Sequence, residues 1–158
     1  AVGRLAVQNH TASQLELLRD CQEKFRSAIA RRDAEAMVME NNRFHEIIGE
    51  MANSVFLKPT LNKLLIDHAR IGHTFFRPAS DDMEVNLGKS CAHHDKMIVA
   101  IAENDEAAMV DLVFEHWELS RRNMEMFIAP PALSSSSLNR LSPGPSQPRS
   151  SGRKGAKI

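Results

Sequence analysis

The sequence predicts an all-α bundle of about six helices. Apolar residues recur at mixed three- and four-residue spacings, and no strand-like alternation of useful length interrupts them. Aromatic residues make up only 5% of the chain and Tyr is missing, unlike an aromatic-rich β-sandwich or a base-stacking surface. A length of 158 residues suits one domain, and a hydrophobic content of 42% is enough for a real core.

The chain opens without Met, inside what reads as the end of a helix, Val2 to Val7, as expected of a piece of something longer. Thr11 or Ser13 can cap a second helix through Leu15, Leu18, Phe25 and Ile29. It ends near Arg31 and Arg32, where basic residues suit a C-terminus. Asp33 is the next cap and opens a helix from about Ala34 to Ala52. The apolar stripe of that helix is Met37, Phe44, Ile48 and Met51, and two polar side chains, Asn41 and His45, sit in it one turn apart.

Ser54 starts a fourth element through Leu61, Leu64, Leu65, His68 and Ile71 towards Phe75. Pro59 is tolerable there only in the first turns, where its missing N–H has no helical partner to lose. Arg77-Pro78-Ala79 reads as a break. Ser80, with Asp81, Asp82 and Glu84 behind it, then places acids where the helix dipole favours them. The stripe of this fifth helix is Leu87, Cys91, His94, Ile98 and Ile101, and Gly88 weakens it without stopping it. Asp105 caps a last helix with Met109, Leu112, His116 and Leu119, ending near Ile128. From Pro130 onward Pro, Ser, Gly and basic residues dominate, and the run Ser134 to Ser137 has nothing to bury. Residues 1–129 are thus the expected helical domain and 130–158 a disordered, solvated tail.

Charge and motifs narrow the chemistry. All five basic residues of the tail lie where no acid occurs, which leaves 15 basic against 20 acidic residues before Pro130, a formal charge of −5. An acidic helical part is poorly suited to gripping phosphates directly. Cys21 and Cys91 are too few for a disulfide framework, and no secretory segment or long apolar run occurs, so a soluble cytoplasmic protein with no membrane role is the expectation.

His45, His94 and His116 each occupy the apolar stripe of a different helix, and a bundle brings such stripes together at its axis. A single histidine in such a stripe is ordinarily a satisfied core residue. Three of them with Asn41 one turn before the first point equally to a shared divalent ion, with Zn, Ni, Mn and Co not distinguished. His68 also fits its stripe and would be a fifth candidate, and Cys91 could ligate a soft metal but ordinarily is a small buried hydrophobe. His10, His73 and His93 read as surface or loop residues. The pair Arg121 and Arg122 reads as a solvated helix end. Glu-x-x-His pairs and a His-Glu-x-x-His motif are both missing, so an enzymatic reading rests on the ion alone.

These letters also carry a resemblance. The run Asn41-Asn42-Arg43-Phe44-His45, then Ala52-Asn53, then His94 through Ile101, Asp105, Ala108 and His116 resembles the effector-binding (FCD-type) domain of the FadR subfamily of GntR transcription regulators, over roughly Ala1 to Ile128. The resemblance implies an antiparallel bundle that is no enzyme and binds a small organic acid, often through a metal held at the positions of Asn41, His45, His94 and His116. It also implies an N-terminal winged helix-turn-helix for operator DNA, which these letters do not contain, and a homodimer. Arg70 is a candidate to pair with the acid's carboxylate, set against an exposed structural arginine. The chain departs from the pattern at Asn41, where Asp is usual, at Ala52 for Gly and at Met97 for Ile. The amide oxygen of Asn41 is a neutral, weaker donor than a carboxylate. Two other readings stay open: a metal-dependent hydrolase or isomerase, which needs an acid or base beside the histidines, and an interaction module whose core histidines bind nothing.

Overall fold

The computed structural model describes residues 1–78 and 80–128, apart from the side chains of residues 71, 73, 74, 123, 124 and 126–128. It contains six helices: α1 (Val2–Asn9), α2 (Ala12–Ala30), α3 (Ala34–Met51), α4 (Leu57–Phe75), α5 (Asp81–Ala102) and α6 (Glu106–Ile128). No strand occurs among the described residues. The tail expected from Pro130, Ala79 of the expected break, and the side chains of Ile71 and His73 lie outside the described residues.

The helix starts follow the capping residues of the sequence. Thr11 rather than Ser13 caps α2, in a reciprocal box in which its hydroxyl accepts from the Gln14 N–H at 3.3 Å and the Gln14 side chain accepts from the Thr11 N–H at 3.0 Å. Asp33 accepts from Ala36 at 3.1 Å, Ser80 from Met83 at 3.4 Å and Asp105 from Ala108 at 2.9 Å. The hydroxyl of Ser54 accepts from the Leu57 N–H at 3.3 Å, so Pro59 falls in the first turn of α4, where it breaks no bond of the ladder.

Two of the connections are alike. After α2 the Asp33 N–H reaches back to the Ala28 carbonyl at 3.0 Å and Arg32 to Ile29 at 3.0 Å; after α5 Asp105 reaches Ala100 at 2.8 Å and Asn104 reaches Ile101 at 3.2 Å. Both are Schellman closures in which the last residue of one stop is the N-cap of the next helix, so each chain reversal takes three residues. The residue that turns the corner has positive φ, 54° at Arg32 and 56° at Asn104, and Asn53 after α3 is at 48°. Asn tolerates this region, whereas an arginine there carries a steric cost.

α3 packs against α1, α2 and α4, and α5 packs against α6, α2 and α1; α4 leans on α3 and meets α6 only lightly. One core cluster joins Leu15, Leu18, Phe44, Ile47, Met51 and Ile101 among others, and a second is built around Phe25, Met37, Val38, Phe76 and Leu87. The expected stripe of α3 is buried throughout, but elsewhere the register shifts slightly. Met97 is buried in the place expected for Ile98, while Ile98, Ile29 and Leu112 are only partly covered. Leu64 is 60% exposed, because the face of α4 that carries it looks into the gap between α4 and α6 and not onto a packed neighbour.

Arg32→Gly should therefore raise stability by about 1 kcal/mol, since glycine adopts this φ freely and the exposed Arg32–Glu84 ion pair that is lost contributes little. Urea unfolding measures this as a higher midpoint at unchanged slope, and a lower midpoint would show that the arginine is not strained.

Candidate functional site

α3, α5 and α6 each deliver one imidazole to the same point. One ring nitrogen from each of His45, His94 and His116 lies within 4.8 Å of the others, and the ring centroids are 5.2, 4.9 and 5.1 Å apart. Two nitrogens on one tetrahedral zinc stand about 3.4 Å apart, so the rings would close by on the order of 1 Å to share an ion. His94 is fully buried and bridges the two core clusters, stacked on Phe44 at 3.9 Å with its ring nearly parallel and tilted against Phe25 at 5.2 Å. Asn41, one turn before His45 on α3, is 2% exposed.

The hydrogen bonding is one-sided. His94 Nδ1 lies 3.1 Å from Gln22 Oε1, whereas the buried His94 Nε2 and His116 Nδ1 have no hydrogen-bond partner among the described residues. Buried ring nitrogens left this way are costly, and a bound group relieves the cost. Burial pushes the imidazoles of His45 and His94 well below the usual histidine range, and the neighbouring rings push further; His116 is brought down to about 4, again chiefly by burial. The three rings are therefore neutral near pH 7 and offer lone pairs. This donor set fits a borderline divalent ion, and no carboxylate joins it among the described residues.

A cavity of about 410 Å³ opens onto the cluster through the gap between α4 and α6. His45, His116 and His68 face it, Ile48, Leu61, Leu65, Met97 and Trp117 give it apolar walls, and Asp67, Ser120 and Arg121 stand on its polar side. Its size and its few polar groups are those of a small-molecule site.

The candidate residues named from sequence divide clearly. Asn41, His94 and His116 are buried, His45 is half-buried on the cavity wall, and the three histidines form one cluster. His68 lines the cavity, with Nδ1 3.3 Å from Asn42 Oδ1, and is not one of the triad. The buried Cys91 faces Gln22 Nε2 at 3.3 Å and stands outside the cluster. Arg70 lies off the cavity wall, 77% exposed and 3.6 Å from Asp67, while the arginine that does line the cavity, Arg121, is held by Glu118 at 2.9 Å and by Glu125.

His93, expected at the surface, has a side chain only 15% exposed, with its ring 5.8 Å from His116 and its buried Nδ1 unpartnered among the described residues. It precedes His94 by one residue on α5, and so flanks the triad from α5's edge. His10 Nδ1–H donates to the Val7 carbonyl at 2.9 Å beside the end of α1. Sequence reasoning missed Gln22, although it stands between Leu18 and Phe25 in the apolar stripe of α2 and is 2% exposed.

The buried neutral histidines make stability pH-dependent with a defined sign. An unfolded histidine titrates near 6.5 and folded His116 near 4, so between these values the unfolded chain binds more protons. Stability is fully present above pH 6.5 and falls as pH drops towards about 4, by roughly 3 kcal/mol for His116 alone. Urea unfolding of the metal-free protein across pH 4 to 7 measures the slope, and a midpoint flat over that range would contradict the burial of these rings in neutral form.

No helix is long and apolar enough to cross a membrane among the described residues. Comparison with the curated proteins and with the solved structures returns no match. The family model of the FCD domain, in contrast, matches residues 1–119, most of the helical part and all three clustered histidines. The chain accordingly belongs to the FCD domain family, the effector-binding domains of GntR-type transcription regulators, and is a ligand-sensing regulatory domain.

Proposed function

We propose that this domain senses a small organic acid through a divalent metal ion held by Asn41, His45, His94 and His116, as part of a homodimeric, cytoplasmic, DNA-binding regulator of the FadR subfamily. The observation that carries the reading is the pair of buried, unpartnered nitrogens, His94 Nε2 and His116 Nδ1, in a triad that opens onto a cavity. A bound ion would supply a Lewis-acidic positive charge at the cavity floor, to which a carboxylate oxygen can bind. His94 and His116 hold their lone pairs free for it, and Phe44 and Phe25 fix the His94 ring. The apolar walls cover the carbon body of the acid and exclude water from its carboxylate. Arg121, which lines the cavity, replaces the exposed Arg70 as the guanidinium closest in role to the acid.

The site also touches the helix from which a signal would leave. Val2 and Gly3 of α1 line the same cavity, and a Cβ on Gly3 would stand 3.0 Å from Val113 of α6. A ligand wedged between α4 and α6 therefore bears on α1, on the side where the DNA-reading module of such regulators attaches. Differential affinity for two settings of α1 is what converts occupancy into a change at DNA.

Asn41 sets the charge. With three neutral imidazoles and a neutral amide, the ion keeps its full charge of about +2, where an aspartate would offset one unit. Metal titrated into the protein should bind stoichiometrically and more tightly in the presence of acetate, and Asn41→Asp should reduce that dependence on the anion. Calorimetry with and without acetate measures both, and affinity indifferent to the anion would refute the role given to Asn41. His94→Ala should lower zinc affinity at least about 100-fold, since one of few ligands is lost; metal content unchanged by the substitution would leave the histidines as core residues that bind nothing.

A further inference from the structure

The geometry points to Gln22 as a positioning residue: its side chain fixes which nitrogen of His94 carries the proton, so that the other faces the histidine cluster as a lone pair. The inference rests on the metal-site reading for its purpose, but not for its test.

The argument begins with the amide. Gln22 Nε2 lies 2.9 Å from Asp95 Oδ1 and 3.0 Å from the Cys91 carbonyl, and both of these can only accept. Turned over, the amide would set its oxygen against a carboxylate and a carbonyl, so its two N–H groups must point to them and Oε1 must point the other way. Oε1 then stands 3.1 Å from His94 Nδ1. An oxygen cannot donate here, so Nδ1 carries the hydrogen. A neutral imidazole has one N–H, and Nε2 is left bare.

Asp95 is held in turn. Arg26 donates to the same Oδ1 at 2.8 Å, at the protein surface. A chain therefore runs from Arg26 through Asp95 and Gln22 to His94, and each member fixes the polarity of the next. Its direction is the useful one: electron density is pushed towards His94 Nδ1–H and the basic nitrogen is turned inward, the role that partners of metal-bound histidines commonly serve. Without Gln22 the ring could place its hydrogen on Nε2, and the proton would block the site. Glutamine suits the task because one end accepts while the other end donates, which a leucine of similar length in the same stripe could not do.

Nitrogen-15 NMR of the full, metal-free chain reads the tautomer directly. The expected result is His94 protonated at Nδ1 and bare at Nε2; protonation at Nε2 overturns the inference, with no variant needed. In Gln22→Leu the Nδ1–H signature should be lost and zinc affinity should fall about 10- to 100-fold. Gln22→Glu combined with Asp95→Asn exchanges donor and acceptor between these two side chains, keeps an acceptor against Nδ1 and should restore the Nδ1–H tautomer and most of the affinity, a rescue that a purely space-filling residue would not give. A Gln22→Leu variant that keeps both tautomer and affinity overturns the inference. Failure of the wild-type protein to bind zinc at all would remove the metal reading and leave the tautomer measurement to decide on Gln22.

Discussion

Three histidines buried without charge at one point, two of them with a ring nitrogen that no neighbour among the described residues satisfies, are the constraint around which the bundle is arranged. A helical core has no need of imidazoles, and each unpartnered nitrogen costs on the order of 1–3 kcal/mol. The fold accepts that cost where α3, α5 and α6 converge and nowhere so densely among the described residues. Phe44 stacks on His94 and Gln22 satisfies its Nδ1, which leaves His94 Nε2 and His116 Nδ1 in the triad without a partner among the described residues.

The same arrangement explains why the cavity lies between α4 and α6. α4 leans on α3 and leaves its Leu61, Leu64 and Leu65 face towards α6, with a volume of about 410 Å³ between them. Were that face packed, the histidines would be sealed and could serve only structure. The gap gives them access, and Val2 and Gly3 of α1 carry the cavity wall to the first helix of the domain. Local packing that is deliberately incomplete is thus the feature that separates a sensor from a plain helical core.

Much of this was legible in the letters. Helix starts were readable because Thr11, Asp33, Ser80 and Asp105 each cap by a local side-chain bond that needs no tertiary context. The triad was readable because each histidine took a position that periodicity had reserved for an apolar side chain. Gln22 gave the same signal, a polar residue between Leu18 and Phe25, but a glutamine carries no ligand chemistry of its own and its meaning depends on Asp95 and Cys91 from another helix. Arg70, two residues beyond His68, is turned by roughly 200° from that residue on α4, on the side of its ion-pair partner Asp67. Arg121 was legible only in part, since its spacing from Val113 and Trp117 puts it on the cavity face while the cavity itself is a product of how α4 packs. The exchange of Met97 for Ile98 turns on a single residue of register that periodicity does not resolve, because both fit a three- or four-residue step from His94.

X-ray absorption spectroscopy of the zinc-loaded chain tests the central claim most directly. The account predicts scattering from three imidazole rings around one ion, with light-atom donors and no sulfur neighbour. An ion bound through Cys91 sulfur, or one with fewer than three imidazoles around it, would contradict it.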